Sequence, residues 1–234
     1  MAHKILIILH QEQSTPGRIG QMLLQKGCEL DIRRPRFGDP LPETMDNHAG
    51  AIIFGGPMSA NDPDDFIKQE IDWCGVPLKE NAPFLGVCLG AQMLVKHMGG
   101  TVETHPEGMV EIGYYPIQDL QNSQDTAFPE LPSHMYQWHK EGFDLPEGCI
   151  RTASSDSFEN QAFYVKETNA YGVQFHTELT LAMLHRWTVV ASERLVMPGA
   201  KTRGEHMQGR FVYDPPIKTW LDTFLDNWLE TDTR

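Results

Sequence analysis

At 234 residues the chain can bury a full α/β core with an elaboration, and no second large domain is expected. Apolar residues at 40% and charged residues at 22% exclude a disordered or fibrous class. A formal net charge of -13, with no Lys/Arg stripe to offset it, excludes nucleic acid and anionic membrane surfaces as expected partners.

The first apolar run, residues 5–9, is too short for a signal-peptide core or a membrane span, which predicts a cytoplasmic protein. Cys28, Cys74, Cys88 and Cys149 show no CxxC pairing and are too sparse for a disulfide framework, so reduced thiols are expected. Residues 5–9 suit a strand buried on both faces. Residues 16–26 follow as a helix, with Thr15 as its N-cap and Pro16 at its first position. Strands are expected over 30–32 and 51–54, a helix over 66–78, a strand over 83–87 and a helix over 91–98 that ends at Gly99 and Gly100. This alternation predicts an α/β fold: a mainly parallel sheet flanked by helices on both faces, with its ligand site at the carboxyl ends of the strands.

Between 101 and 176 the pattern breaks into short strand-like pieces, at 113–117, 135–143, 150–153, 162–165 and 171–175. They read as a small antiparallel extension. Residues 181–198 and 216–229 are amphipathic helix candidates expected to pack on the same core, with a loop over 199–210. The expected organisation is one domain over 1–180 and a C-terminal helical extension over 181–234.

Three short stretches carry chemistry. In Gly86-Val87-Cys88-Leu89-Gly90-Ala91-Gln92, flanking glycines permit a sharp strand-to-helix turn that presents the Cys88 sulfur at a helix N-terminus. There the N–H of Leu89 points where an oxyanion would form. In Phe54-Gly55-Gly56-Pro57-Met58-Ser59, the reading as an ordinary tight turn competes with that of a second oxyanion donor, the N–H of Gly56. In Gln174-Phe175-His176-Thr177-Glu178, a histidine closes a strand-like run with a carboxylate two residues on, placed to accept from the imidazole. The ten histidines include no HxxxH or Cys/His cluster, so no metal or other cofactor is expected.

GGPMS, GVCLGAQ and QFHTE, in this order, resemble the class I (triad type) glutamine amidotransferase domain, most nearly the GMP synthetase-like glutaminase domains. The resemblance spans roughly residues 3–178 and implies a flavodoxin-like sheet. It implies Cys88 as nucleophile, His176 as base and acid, Glu178 as its orienter, and Gly56 and Leu89 as oxyanion donors. Gln92 and His139 would contact the substrate, with Trp138 as a pocket wall. Thr177 stands where that family usually has proline, a change expected to relax the loop without removing either flanking side chain.

The implied activity is cysteine-dependent hydrolysis of glutamine or a γ-glutamyl compound, a small-molecule amide, through a thioester. With no GxxxxGK[ST] or SGGxDS-type loop, the chain is not expected to activate an acceptor with ATP. It would be a free-standing hydrolase or, alternatively, a glutaminase subunit serving a separate synthetase partner. A non-enzymatic member of the wider cysteine-elbow superfamily is the third reading, opposed by the complete Cys, His and Glu set. The sequence does not specify an oligomeric state.

Overall fold

The computed structural model describes residues 3–121, 124 and 126–230; Met1, Ala2 and residues 231–234, at the ends of the expected domain and extension, lie outside the described residues. The first half runs β1 (Lys4–Ile8), α1 (Gly17–Gln25), β2 (Glu29–Arg33), β3 (Gly50–Ile53), α2 (Asp65–Trp73), α3 (Gly75–Lys79), β4 (Phe84–Val87) and α4 (Leu89–His97). The second half runs β5 (Thr101–Thr104), β6 (Glu111–Pro116), β7 (Gln118–Asp119), β8 (His134–His139), β9 (Glu141–Asp144), β10 (Cys149–Ser154), β11 (Ala162–Val165) and β12 (Ala170–Val173). Helices α5 (Leu181–Val190) and α6 (Arg203–Glu230) follow.

Eight of the described strands form one sheet in the order β2-β1-β3-β4-β12-β11-β10-β7. The β2-β1-β3-β4-β12 part is parallel and the remainder antiparallel. That parallel order is flavodoxin-like, with its topological switch between β1 and β3. Two antiparallel pairs, β5 with β9 and β6 with β8, form the small extension.

Strand periodicity explains why the parallel sheet is covered twice. Side chains alternate across a strand, so Ile5, Ile7 and Leu9 enter one core while Leu6 and Ile8 enter the other. The first core is closed by Ile19, Met22 and Leu23 of α1 and by Trp220, Leu221, Phe224, Leu225 and Trp228 of α6. The second is closed by Ile67 and Trp73 of α2 and by Met93, Leu94 and Val95 of α4. Each fully buried Leu, Ile or Phe contributes about 1.5–3 kcal/mol by removal from water, so strands without exposed faces are strongly held in register.

Several expected elements differ in detail. Thr15 does not cap α1: Pro16 occupies the N-cap position without a side-chain bond, and Gly17 opens the helix at φ 53°. That left-handed turn brings the Arg18 N–H to 2.8 Å from the Glu178 carbonyl, and a Cβ at Gly17 would overlap the same oxygen. The helix over 66–78 is two helices meeting near Cys74, since Pro77 has no N–H to continue the first ladder. The piece at 135–143 is two strands, β8 and β9, that pair in different sheets.

The loop over 199–210 is largely helical, because α6 starts at Arg203 rather than near 216. A capping box starts it: the Thr202 N–H donates to Glu205 Oε2 at 2.8 Å, and the Glu205 N–H donates back to Thr202 Oγ1 at 3.3 Å. Pro215 and Pro216 lie inside the helix. Their flank is braced by Asp214, which accepts two bonds from Arg18 of α1 at 2.6 and 2.8 Å. No helix among the described residues is long and apolar enough to cross a membrane.

Candidate active site

Cys88 sits at the junction of β4 and α4 with φ 51° and ψ -104°, a backbone conformation L-residues rarely adopt. The turn is held open by its neighbours. A Cβ on Gly86 would lie 2.6 Å from the Ala91 nitrogen, and one on Gly90 would overlap the Ile53 carbonyl oxygen. The Cys88 N–H is fixed to the Val173 carbonyl of β12 at 2.8 Å. Leu89, as first residue of α4, has no carbonyl one turn behind it to accept its N–H.

The chain leaving β12 brings the histidine to the same edge of the sheet. The His176 N–H donates to the Tyr136 carbonyl at 2.8 Å, and its Nδ1 lies 2.6 Å from Glu178 Oε1. A carboxylate accepts, so Nδ1 carries the proton and donates. Nε2 is buried and has no hydrogen-bond partner among the described residues. Burial alone would lower the imidazole pKa, but the Glu178 charge and the adjacent Cys88 sulfur outweigh it and hold the group up at about 10. Trp187 of α5 packs edge-on to the imidazole, with ring centroids 5.0 Å apart.

Gly55 packs against both the sulfur-bearing residue and the imidazole. A Cβ there would lie 3.0 Å from His176 Cε1 and 3.3 Å from Cys88 Cβ. Gly55, Gly56, Cys88, His176 and Glu178 all line one cleft of about 370 Å³. The Gly56 N–H donates to no protein acceptor among the described residues.

Gln92 and His139, expected against a bound substrate, do not line this cleft. The Gln92 amide donates to the Glu141 carbonyl at 3.1 Å and to Gln174 Oε1 at 3.1 Å. Because a backbone carbonyl only accepts, this chain fixes the orientation of both amides, and the Gln174 NH₂ is left to donate to Cys88 Sγ at 3.4 Å. His139 is tied to Glu111 Oε2 at 3.1 Å and to the Glu141 carbonyl at 3.0 Å. Glu111 also accepts from Gln161 and Ser155, which completes a buried polar network behind the site. It borders a separate cavity of about 330 Å³ that holds none of Cys88, His176 or Glu178.

Sequence reasoning passed over Gln174, although it stands two residues before His176. A further wall of the cleft is supplied by α5. Met183, Arg186, Trp187 and Val190, at helical spacing, face the cleft, whereas only Leu184 and Thr188 of that helix are buried. An amphipathic stripe reads the same whether its apolar side meets a core or a cleft. Trp138 of β8 lines the cleft in contact with Trp187, 5.6 Å away between ring centroids. No group of three His, Cys, Asp or Glu side chains among the described residues could hold a metal ion.

Residues 9–186 match the family described as glutamine amidotransferase class-I. The chain is 34% identical over 183 residues to a GMP synthase (glutamine-hydrolyzing) of Porphyromonas gingivalis, an alignment covering 76% of this chain and 34% of that protein. Among solved structures, a glutamine amidotransferase from Thermotoga maritima superposes with a TM-score of 0.87 at 27% identity, covering 98% of this chain and 99% of the other. A glutamine amidotransferase from Methylobacillus flagellatus gives 0.89 at 25% identity, with 98% and 95% covered. The matched region spans only 25–34% of the length of the GMP synthases first matched.

Proposed function

The chain belongs to the class I glutamine amidotransferase family, and we propose from that premise that its cleft hydrolyses the γ-carboxamide of glutamine or of a γ-glutamyl compound through a thioester on Cys88. His176 Nε2 takes the Cys88 thiol proton as the sulfur adds to the carboxamide carbon, and the oxyanion accepts from the N–H groups of Gly56 and Leu89. His176, protonated at Nε2, gives that proton to the departing amine as the C–N bond breaks. Nε2 then takes a proton from water, whose oxygen attacks the thioester; as the C–S bond breaks, Nε2 returns that proton to the sulfur to restore the thiol, and the γ-carboxylic acid leaves and ionises to solvent. Glu178 keeps the imidazole in the required orientation and stabilises its charge. Gln174 donates to the sulfur, and Gln92 acts on the site through Gln174.

The observation that carries this reading is the 2.6 Å bond between His176 and Glu178 with Nε2 left unpartnered, beside a sulfur held on a strained turn. Three such groups in one cleft also weigh against a non-enzymatic role. The free-standing hydrolase is favoured because α5 of the same chain walls the cleft with Met183, Trp187 and Arg186. Resemblance to part of the longer GMP synthases supports the second reading, ammonia delivery to a separate ATP-using synthetase.

The purified chain is expected to release ammonia or amine from L-glutamine or a γ-glutamyl amide unaided. Cys88→Ala should lower the rate by at least about 10⁴-fold with its melting temperature retained. Turnover that appears only with an added synthetase supports the second reading, and hydrolysis surviving in Cys88→Ala contradicts both.

A further inference from the structure

Behind the glycine turn lies a pair the mechanism does not use. His10, just past β1, and Glu70 of α2 are both 0% exposed, and His10 Nε2 lies 2.7 Å from Glu70 Oε2. Neither lines the cleft. The other imidazole nitrogen, Nδ1, is 3.2 Å from the Gly55 carbonyl oxygen. Since that oxygen can only accept, Nδ1 must carry a proton. Two pairings with Glu70 meet this: an imidazolium that donates from Nε2 to a Glu70 carboxylate, or a neutral imidazole whose bare Nε2 accepts from a Glu70 carboxylic acid. Both arrangements leave Nδ1–H facing Gly55.

The consequence reaches the cleft through one peptide plane. In a trans peptide the C=O of one residue and the N–H of the next point in opposite directions, so holding the Gly55 carbonyl fixes the Gly56 N–H. Two consecutive glycines would otherwise let this peptide rotate at little steric cost. The imidazole also backs the turn directly, since a Cβ on Gly56 would lie 3.2 Å from His10 Cβ and Cγ.

We infer that His10, anchored through Nε2 by Glu70 and donating from Nδ1, is a positioning residue that locks the Gly55–Gly56 peptide with its N–H toward the oxyanion. The inference rests on the reading of Cys88 as nucleophile, and its test separates the two. Alkylation of Cys88 by iodoacetamide forms no oxyanion, whereas attack on an amide does.

His10→Phe is expected to lower kcat for γ-glutamyl amide hydrolysis by about 10- to 100-fold, a fraction of the effect of losing an oxyanion donor outright. Its KM and its rate of alkylation should stay within about twofold, the size expected when only an oxyanion contact is disturbed. His10→Asn, whose amide nitrogen stands near the position of Nδ1, should recover most of the rate. Glu70→Gln, whose amide can donate to Nε2, should keep most of the activity, and Glu70→Leu should lower it less than His10→Phe does, because the ring loses its anchor while the Gly55 carbonyl still selects the Nδ1–H form. Full activity in His10→Phe overturns the proposal, as does an Asn variant no faster than Phe, or alkylation falling in step with hydrolysis. A crystal structure of His10→Phe should show the Gly55 carbonyl turned from its wild-type direction. An unmoved peptide refutes the lock even if the wild type hydrolyses no amide, an outcome that by itself counts only against the proposed function.

Discussion

Glu178 tests the electrostatics of the site at the level of one residue. Its carboxylate is among the causes that raise His176 to about 10 against the pull of burial. Glu178→Gln preserves shape and removes charge. The imidazole should therefore titrate lower in an NMR pH series, and amide hydrolysis should fall by about 10³- to 10⁴-fold, as when a triad loses its carboxylate. An unmoved titration, or a wild-type rate, would contradict the assigned role. The residues legible in the sequence were those whose chemistry is declared locally. Cys88 lies between glycines, and His176 lies two positions from a carboxylate. Gln92 and His139 were expected only by resemblance, and that they lie outside the cleft was not readable, because the partners that occupy their side chains, the Glu141 carbonyl and Glu111, are distant in sequence. His10 and Glu70 escaped for the same reason, being 60 positions apart.

Among the elements, α6 departs furthest from expectation and offers a pH test. Its buried His206 meets the Tyr136 hydroxyl at 3.0 Å and packs edge-on to Trp138, with ring centroids 5.7 Å apart. Burial pushes its pKa down to about 4, against smaller upward contributions from the Lys201 backbone and Glu205. An unfolded histidine titrates near 6.5, so between about pH 6.5 and 4 the unfolded chain binds more protons at this position than the folded one. Stability is therefore lost as pH falls through that window. His206→Gln should flatten the decline in melting temperature measured from pH 7 to pH 5, and an unchanged slope would remove His206 as its source. The core strands and α4 were readable because apolar runs and glycine stops are local signals. The start of α6 was obscured by Pro215 and Pro216, which resemble a helix beginning, although the Thr202 and Glu205 capping pair was present upstream.

On the scale of the whole molecule, the parallel sheet gathers the proposed catalytic groups through its topology. The carboxyl ends of β3, β4 and β12 deliver Gly55 and Gly56, Cys88, and His176 with Glu178 to one edge, next to the β1/β3 switch. The alternation of strands and helices declared this edge in advance. The packing of the C-terminal helix on a core, through Trp220 and Trp228, was legible from its amphipathic pattern, whereas the particular residues of α5 that wall the cleft, such as Trp187, were not. Such contacts depend on long-range packing rather than on local pattern. The central claim is that an acyl group passes to Cys88, and acid-quenched mass spectrometry tests it most directly. During turnover of a γ-glutamyl amide, a mass gain of one γ-glutamyl group is expected on the Cys88 peptide, and it should be lost in His176→Ala, where the departing amine receives no proton. Steady hydrolysis with Cys88 unmodified under those conditions, or the adduct on another residue, would contradict it.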